Sequence, residues 1–294
     1  MDHNEHKETR ALSSSRRAYD LILRGLLYFC AAVTCLLLVF VIGYIFVRGL
    51  PHITWELLST SPSYIKDTIG ILPNIVNTVY LVVVTLIITL PLGVGAAVYL
   101  TEYAQNKKLV AAIEFATETL TGIPSIIFGL VGMLFFCQLL GLQASLLAGS
   151  LTLVIVTIPT IIRTTQESLK TVPQSYREAA LALGSGKWYM IRTVILPSSI
   201  DGIVTGCILA IGRIVGESAV LLYTVGMSMQ MQDFFRNGLE SFFSASGSTL
   251  SVALYVYAKV RADFDLAFSV AVVLIIITLV INLAANLAGR KLKK

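Results

Sequence analysis

The sequence predicts an all-α, polytopic membrane protein with six transmembrane helices. Composition and run length carry that prediction. Of the 294 residues, 56% are hydrophobic and only 13% charged, and the mean hydropathy of +0.80 lies well above that of soluble domains. Crossing a bilayer as helix takes about 20 apolar residues, and the chain offers such runs near 25–47, 72–100, 110–139, 143–169, 200–225 and 264–289. They are continuous rather than alternating, which argues against a β-barrel.

The first run follows a charged tail, residues 1–24. It is longer than a signal-peptide core and no A-x-A-like site follows it, so we expect it to be retained as an anchor. Orientation follows from the basic residues, which concentrate on the cytoplasmic side. Six spans place both termini on one side, and 16 of the 22 lysines and arginines fall there, from Lys7 and Arg10 through Lys107 and Lys108 to Lys293 and Lys294. Five fall opposite: Arg48, Lys66, Arg236, Lys259 and Arg261. Both termini, including the basic tail 290–294, are therefore expected in the cytoplasm, with residues 25–289 forming one six-helix transmembrane domain. Topology also accounts for the net charge of +5 and the pI near 9.0; no basic patch with interleaved aromatics suggests nucleic acid. Cys30, Cys35, Cys137 and Cys207 lie within spans without metal-ligand spacing and read as small apolar residues.

The second, third and fourth spans contain Pro91, Pro124 and Pro159. Proline frees a carbonyl that lipid cannot satisfy. Each is compatible with a packing kink; together they suggest a bundle that moves or encloses a pathway. In the third and fourth spans, Glu114 and Glu118 share a helix face and Arg163 lies toward the cytoplasmic end, so either a salt bridge or separately solvated groups are expected. The fifth span, "LAIGRIVGESAVLLY", carries Arg213 and Glu217. On a continuous helix these share a narrow face with Gly202, Gly206 and Ala210. A charge at mid-span costs at least about 2.5 kcal/mol on the lenient insertion scale, and a partner one turn away offsets part of that. Two readings follow: a static buried pair, or an anion path in which Arg213 binds and Glu217 is the resting partner. A guanidinium suits a tetrahedral oxyanion through its planar fork. Arg163 is a second candidate for that path.

Between the fourth and fifth spans runs "TVPQSYREAALALGSGKWYMIRTVILPSS". Pro173 suits a helix start, "REAALAL" is helix-forming, and Gly184 and Gly186 interrupt before a second short helix ending near Pro197. This predicts a compact helical knob over 171–197. "GSGKW" is not a Walker A loop, because Leu181 and Trp188 stand where glycine and a hydroxyl residue are needed. No ATPase site is therefore expected in this chain.

The knob resembles the EAA loop of bacterial ABC importer permeases: Glu178, Ala179, Ala180, Gly184, Leu196 and Pro197 fit the pattern, with Val194 in place of its isoleucine. With "AVYLTEYA", "ETLTGIPSIIFGLVG", "IPTIIRTTQESLK" and "GRIVGESAVLLYTVG", the likeness extends to the phosphate-specific permeases, most closely the PstA-type subunit. The resemblance implies the type I ABC importer transmembrane-domain fold with cytoplasmic coupling helices. It implies a sister permease of PstC type, an ATPase dimer of PstB type that binds ATP and Mg, and an extracytoplasmic phosphate-binding protein of PstS type. Glu178 becomes the acidic docking contact, Ala179 and Ala180 the close-packing surface, and Gly184 the turn. Arg213, Glu217 and Arg163 match charged residues of the phosphate path. Importers of molybdate, sulfate or phosphonate share the docking loop and form the alternative; an ATP-independent channel is the more distant one. The outer loop 226–263, with Phe234, Phe235, Phe242 and Phe243, receives no specific role.

Overall fold

The computed structural model describes residues 14–62, 69–228 and 246–292. The tail residues Lys7 and Arg10, Lys66, Arg236, the four loop phenylalanines and the terminal Lys293 and Lys294 lie outside them. The chain divides into two units between Arg48 and Gly49. In its described part the first unit is a single helix, α1 (Ser14–Gly49, its last residue already counted with the second unit). It is apolar on every side from Leu26 to Val47, as a helix bathed in hydrocarbon requires.

The second unit is entirely helical among the described residues. Short α2 (Trp55–Ser59) starts where the Thr54 side chain accepts from Leu57 N. α3 (Leu72–Val98) continues as a wider turn through Tyr103. α4 (Lys107–Gly122) is capped by Asn106, whose side chain accepts from Lys108 N and Leu109 N. α5 (Ser125–Gly132) continues to Leu139. α6 (Leu146–Thr171) begins where Ser145 Oγ accepts from Ala148 N. Then come α7 (Gln174–Ala182), α8 (Lys187–Ser198), α9 (Ile200–Gly216), α10 (Ala219–Thr224), α11 (Leu250–Val260) and α12 (Phe264–Leu292).

Among the described residues, four helices are long and apolar enough to cross a membrane: Tyr19–His52, Leu72–Tyr103, Leu146–Thr171 and Phe264–Lys291. Counting each of two bent helix pairs, Lys107–Gly122 with Ser125–Leu139 and Lys187–Ser198 with Ile200–Gly216, as one span brings the number to six. The all-α expectation holds, but the spans are less regular than the apolar runs suggest. The prolines behave differently from one another. Pro91 and Pro159 sit inside unbroken helices, whereas at Pro124 the chain turns by 98° between α4 and α5. The extended conformation imposed on Ile123, the residue before Pro124, ends α4 there. The expected fifth span, 200–225, is also not one helix: it meets α8 at a 66° bend and breaks again after Gly216. The loop placed at 226–263 contains α11, too short to be found as a span, with Leu250, Val252 and Ala253 fully buried.

α6 is the axis of this unit. The Thr89 and Thr157 hydroxyls lie 3.3 Å apart, and a Cβ on Gly93 would come within 2.6 Å of Ile161 Cγ2. Both contacts join residues 68 positions apart, a constant offset that only parallel helices give, so α3 and α6 run side by side in the same direction. Further along the same stripe of α6, Gly202 and Gly206 of α9 press against Ser168 and Thr164, leaving no space for a side chain. Small residues at membrane helix contacts serve this close approach, since lipid supplies no hydrophobic drive for helices to associate. At the end of the bundle away from α7, the Asn74 and Asn77 amides each donate to Ser248 O at 3.1 Å, and Thr78 Oγ1 accepts from Leu250 N at 3.0 Å. These bonds satisfy the backbone entering α11 where it is buried.

Candidate functional site

The break between α9 and α10 places the two charges that the sequence singles out. Arg213 lies in the last turn of α9, and both it and Glu217 are half-buried. Glu217 has left the helix, at φ −78° and ψ 115°. The expected one-turn pairing is therefore absent: no carboxylate among the described residues lies within 4.0 Å of Arg213. The i, i+4 argument fails because it needs an unbroken helix between the two positions. Instead, Glu217 accepts a long bond, 3.5 Å, from Val220 N at the start of α10. Each charge thus occupies the complementary end of a helix, cation at the C-terminus of α9 and anion at the N-terminus of α10. The carbonyl released at Glu217 is taken by Ser251 Oγ at 2.9 Å, as irregular backbone within a membrane protein demands. Among the described residues, no carboxylate takes up the Arg213 guanidinium fork.

Arg163 belongs to a second region. On α6 it donates from Nε to Glu167 Oε1 at 3.1 Å and lies 3.6 Å from Glu118 Oε1. Lys170 Nζ stands 3.6 Å from Glu114, which also accepts from Gln166 Nε2 at 3.3 Å. These groups line a cleft of about 250 Å³ between α4 and α6, floored by Pro159. Of the alternatives at Glu114 and Glu118, the salt-bridged one is present. Arg213 and Glu217 do not line this cleft, so the three path candidates occupy two places.

The third region is the knob. α7 and α8 are joined by Gly184, whose φ of +80° is the left-handed conformation that glycine adopts without strain. Glu178, Ala179 and Pro197 are exposed, while Ala180 and Leu196 are half-buried. Ala179, Ala180 and Gly184 form, with Tyr176, Leu183 and Tyr189, an apolar groove of about 570 Å³. Leu183 is 88% exposed and Trp188 61%, so the knob presents a contiguous apolar surface, the signature of a protein contact.

Sequence reasoning missed the pair that fastens this knob. Arg177 Nη2 lies 2.9 Å from Glu102 Oε1, and both side chains are largely buried. The signal was an acid at the end of an apolar span, in "YLTEY", with no basic neighbour on its own helix to pair it.

Comparison with known proteins agrees with this architecture. Residues 89–294 match the family model described as the binding-protein-dependent transport system inner membrane component. A probable ABC transporter permease protein, YqgI of Bacillus subtilis (strain 168), is 36% identical over 220 residues, covering 75% of each chain. The phosphate transport system permease protein PstA 1 of Mycobacterium tuberculosis (strain CDC 1551 / Oshkosh) is 31% identical over 242 residues, covering 79% of this chain and 78% of that one. PstA of Xylella fastidiosa (strain 9a5c) is 37% identical over 179 residues, 60% of this chain and 62% of its own. Among solved structures, a bacterial ABC transporter importing the polysaccharide alginate gives a TM-score of 0.63 at 17% identity, covering 95% of this chain and 100% of that chain. The MetNI methionine ABC transporter, in an inward-facing form, gives 0.58 at 22% identity, covering 76% and 95%. The structural matches establish the type I ABC importer permease fold, and with the family match over most of the sequence they lead to one conclusion: this chain belongs to the inner membrane permease components of binding-protein-dependent transport systems.

Proposed function

We propose that the chain is a transmembrane subunit of an ATP-driven inorganic phosphate importer, building the translocation path with a sister permease. The observation that carries this reading is Arg213: a half-buried guanidinium at a helix break, with no carboxylate of the described residues within ion-pair distance. Discontinuous membrane helices expose polar backbone and helix ends where solutes pass, and a free guanidinium fork binds a tetrahedral oxyanion through two parallel hydrogen bonds. Relatives named as phosphate permeases support phosphate as the anion. Arg163, held by two carboxylates in the cleft, is a second station, where exchange among glutamates keeps binding weak enough for release.

On this reading the apolar knob docks on a partner ATPase dimer, which binds ATP and Mg, and Glu178 is its exposed acidic contact. Closing of that dimer switches the path from outward-facing to inward-facing, and an extracytoplasmic binding protein delivers phosphate. Both termini and the knob lie in the cytoplasm.

The test is uptake of labelled phosphate by proteoliposomes carrying the assembled complex. Arg213→Gln lowers uptake by at least about 100-fold, the loss of two charge-assisted hydrogen bonds, while insertion and ATPase docking persist. Uptake at the unmodified rate refutes the role. A guanidinium fork accepts other tetrahedral oxyanions equally well, so unlabelled molybdate, sulfate and phosphonate are included as competitors. Competition by one of them and not by phosphate reassigns the substrate.

A further inference from the structure

α7 is the least embedded part of the knob. None of its side chains is fully buried, whereas α8 contributes Met190, Ile191 and Ile195 to a core shared with α3 and α6. One side chain ties α7 down. Arg177 donates from Nε and Nη2 to Glu102 Oε1 at 3.1 and 2.9 Å. It also donates from Nη1 to Val172 O at 2.6 Å and from Nη2 to Leu169 O at 2.9 Å. The side chains of Arg177 and Glu102 are only 13% and 6% exposed. A single guanidinium therefore joins α7, the end of α3 and the end of α6, using its planar fork at all three nitrogens.

The placement matters because Arg177 directly precedes Glu178. Successive residues on a helix point about 100° apart, so α7 turns Arg177 inward and Glu178 outward. The outer contact and the inner bridge are thus carried by adjacent residues of one helix. From Glu102 the helical path is continuous back to Leu72, through Pro91 and the Thr89–Thr157 contact. A lesser link supports it: Lys187 Nζ sits 5.0 Å above the ring of Tyr103, beside Glu102.

We infer that Arg177 and Glu102 are the positioning pair that transmits movement of the docking helix into α3, an inference that rests on the proposed coupling to an ATPase. A pair that merely held the fold together would lower ATP hydrolysis, uptake and assembly in step. A transmitting pair separates them.

The experiment uses the reconstituted complex, with this chain's four cysteines replaced by alanine and a spin label at Leu92→Cys, an exposed position on α3. Arg177→Gln and Glu102→Gln complexes assemble and hydrolyse ATP, but phosphate uptake per ATP falls by about tenfold, within the range of measured coupling energies. The label's response to a non-hydrolysable ATP analogue is lost in both. Glu102→Gln with Arg177→Gln is no worse than either alone, as expected for two halves of one interaction. Unchanged uptake per ATP with an intact label response overturns the inference. Should the neutral variants fail to assemble, Arg177→Lys carries the test, because it keeps the charge and loses the fork: a ratio lowered about threefold supports the pair, and an unchanged ratio overturns it. The label response is independent of which anion is carried. A complex that responds to nucleotide yet takes up no phosphate refutes the phosphate reading, and the same two variants still decide the pair.

Discussion

Arg177 and Arg213 are the same chemical group in opposite circumstances. Arg177 spends its donors on a carboxylate and two carbonyls; Arg213, half-buried at the end of α9, has no carboxylate of the described residues within 4.0 Å. A guanidinium with its donors spent is a fastening; one with donors to spare suits an anion, the role proposed for Arg213. Arg163 stands between them, paired twice but largely exposed, with 63% of its side chain accessible. Solvent there competes with each carboxylate, so its bridges exchange readily.

The sharpest way to break this contrast is to replace each arginine by leucine and measure unfolding of the detergent-solubilised chain. Arg177→Leu leaves Glu102 buried without its partner and lowers stability by about 3 kcal/mol or more. Arg213→Leu strands no carboxylate and leaves stability unchanged or slightly raised, although it removes the uptake assigned to it. Equal losses at the two positions would remove the distinction between fastening and binding group.

A smaller effect sharpens the reading of the helix break. If Glu217 were paired with Arg213, Glu217→Gln would be nearly as damaging to uptake as Arg213→Gln. With Glu217 facing the start of α10 instead, the amide oxygen still accepts from Val220 N. Uptake then falls less than about tenfold, as for the loss of charge in a single cap-like hydrogen bond. Initial-rate measurements on the two variants separate the arrangements.

The smallest effect is expected in the cleft. Glu167→Gln removes one exposed bridge from Arg163 and changes stability by no more than about 0.5–1 kcal/mol. A loss of several kcal/mol on unfolding would make Arg163 a fastening like Arg177.

Much of this could be read in advance, for a reason that differs by element. Apolar run length locates the spans because bilayer thickness fixes it, and the knob's helices declare themselves through Pro173, "REAALAL" and Gly184. Gly202 and Gly206, on the small-residue face of α9 that the sequence displays, press against α6. The failures are equally specific. Helical-wheel arithmetic put Glu217 over Arg213, because no breaker stands between them except Gly216, which helices often tolerate. Three prolines looked alike, yet two are carried within unbroken helices and one turns the chain. α11 was read as loop because its apolar run is too short to span a membrane.

What the sequence determined by itself is therefore whatever depends on local chemistry: the membrane as solvent, the approximate extent of the apolar runs, the helical knob and the identity of its exposed residues. Tertiary structure alone decided which charges meet. Glu102 and Arg177 lie 75 positions apart, and nothing in either neighbourhood specifies the other. They pair because α3 and α6 run parallel and end at the same level, where an acid that lipid rejects and a helix that needs anchoring satisfy one another.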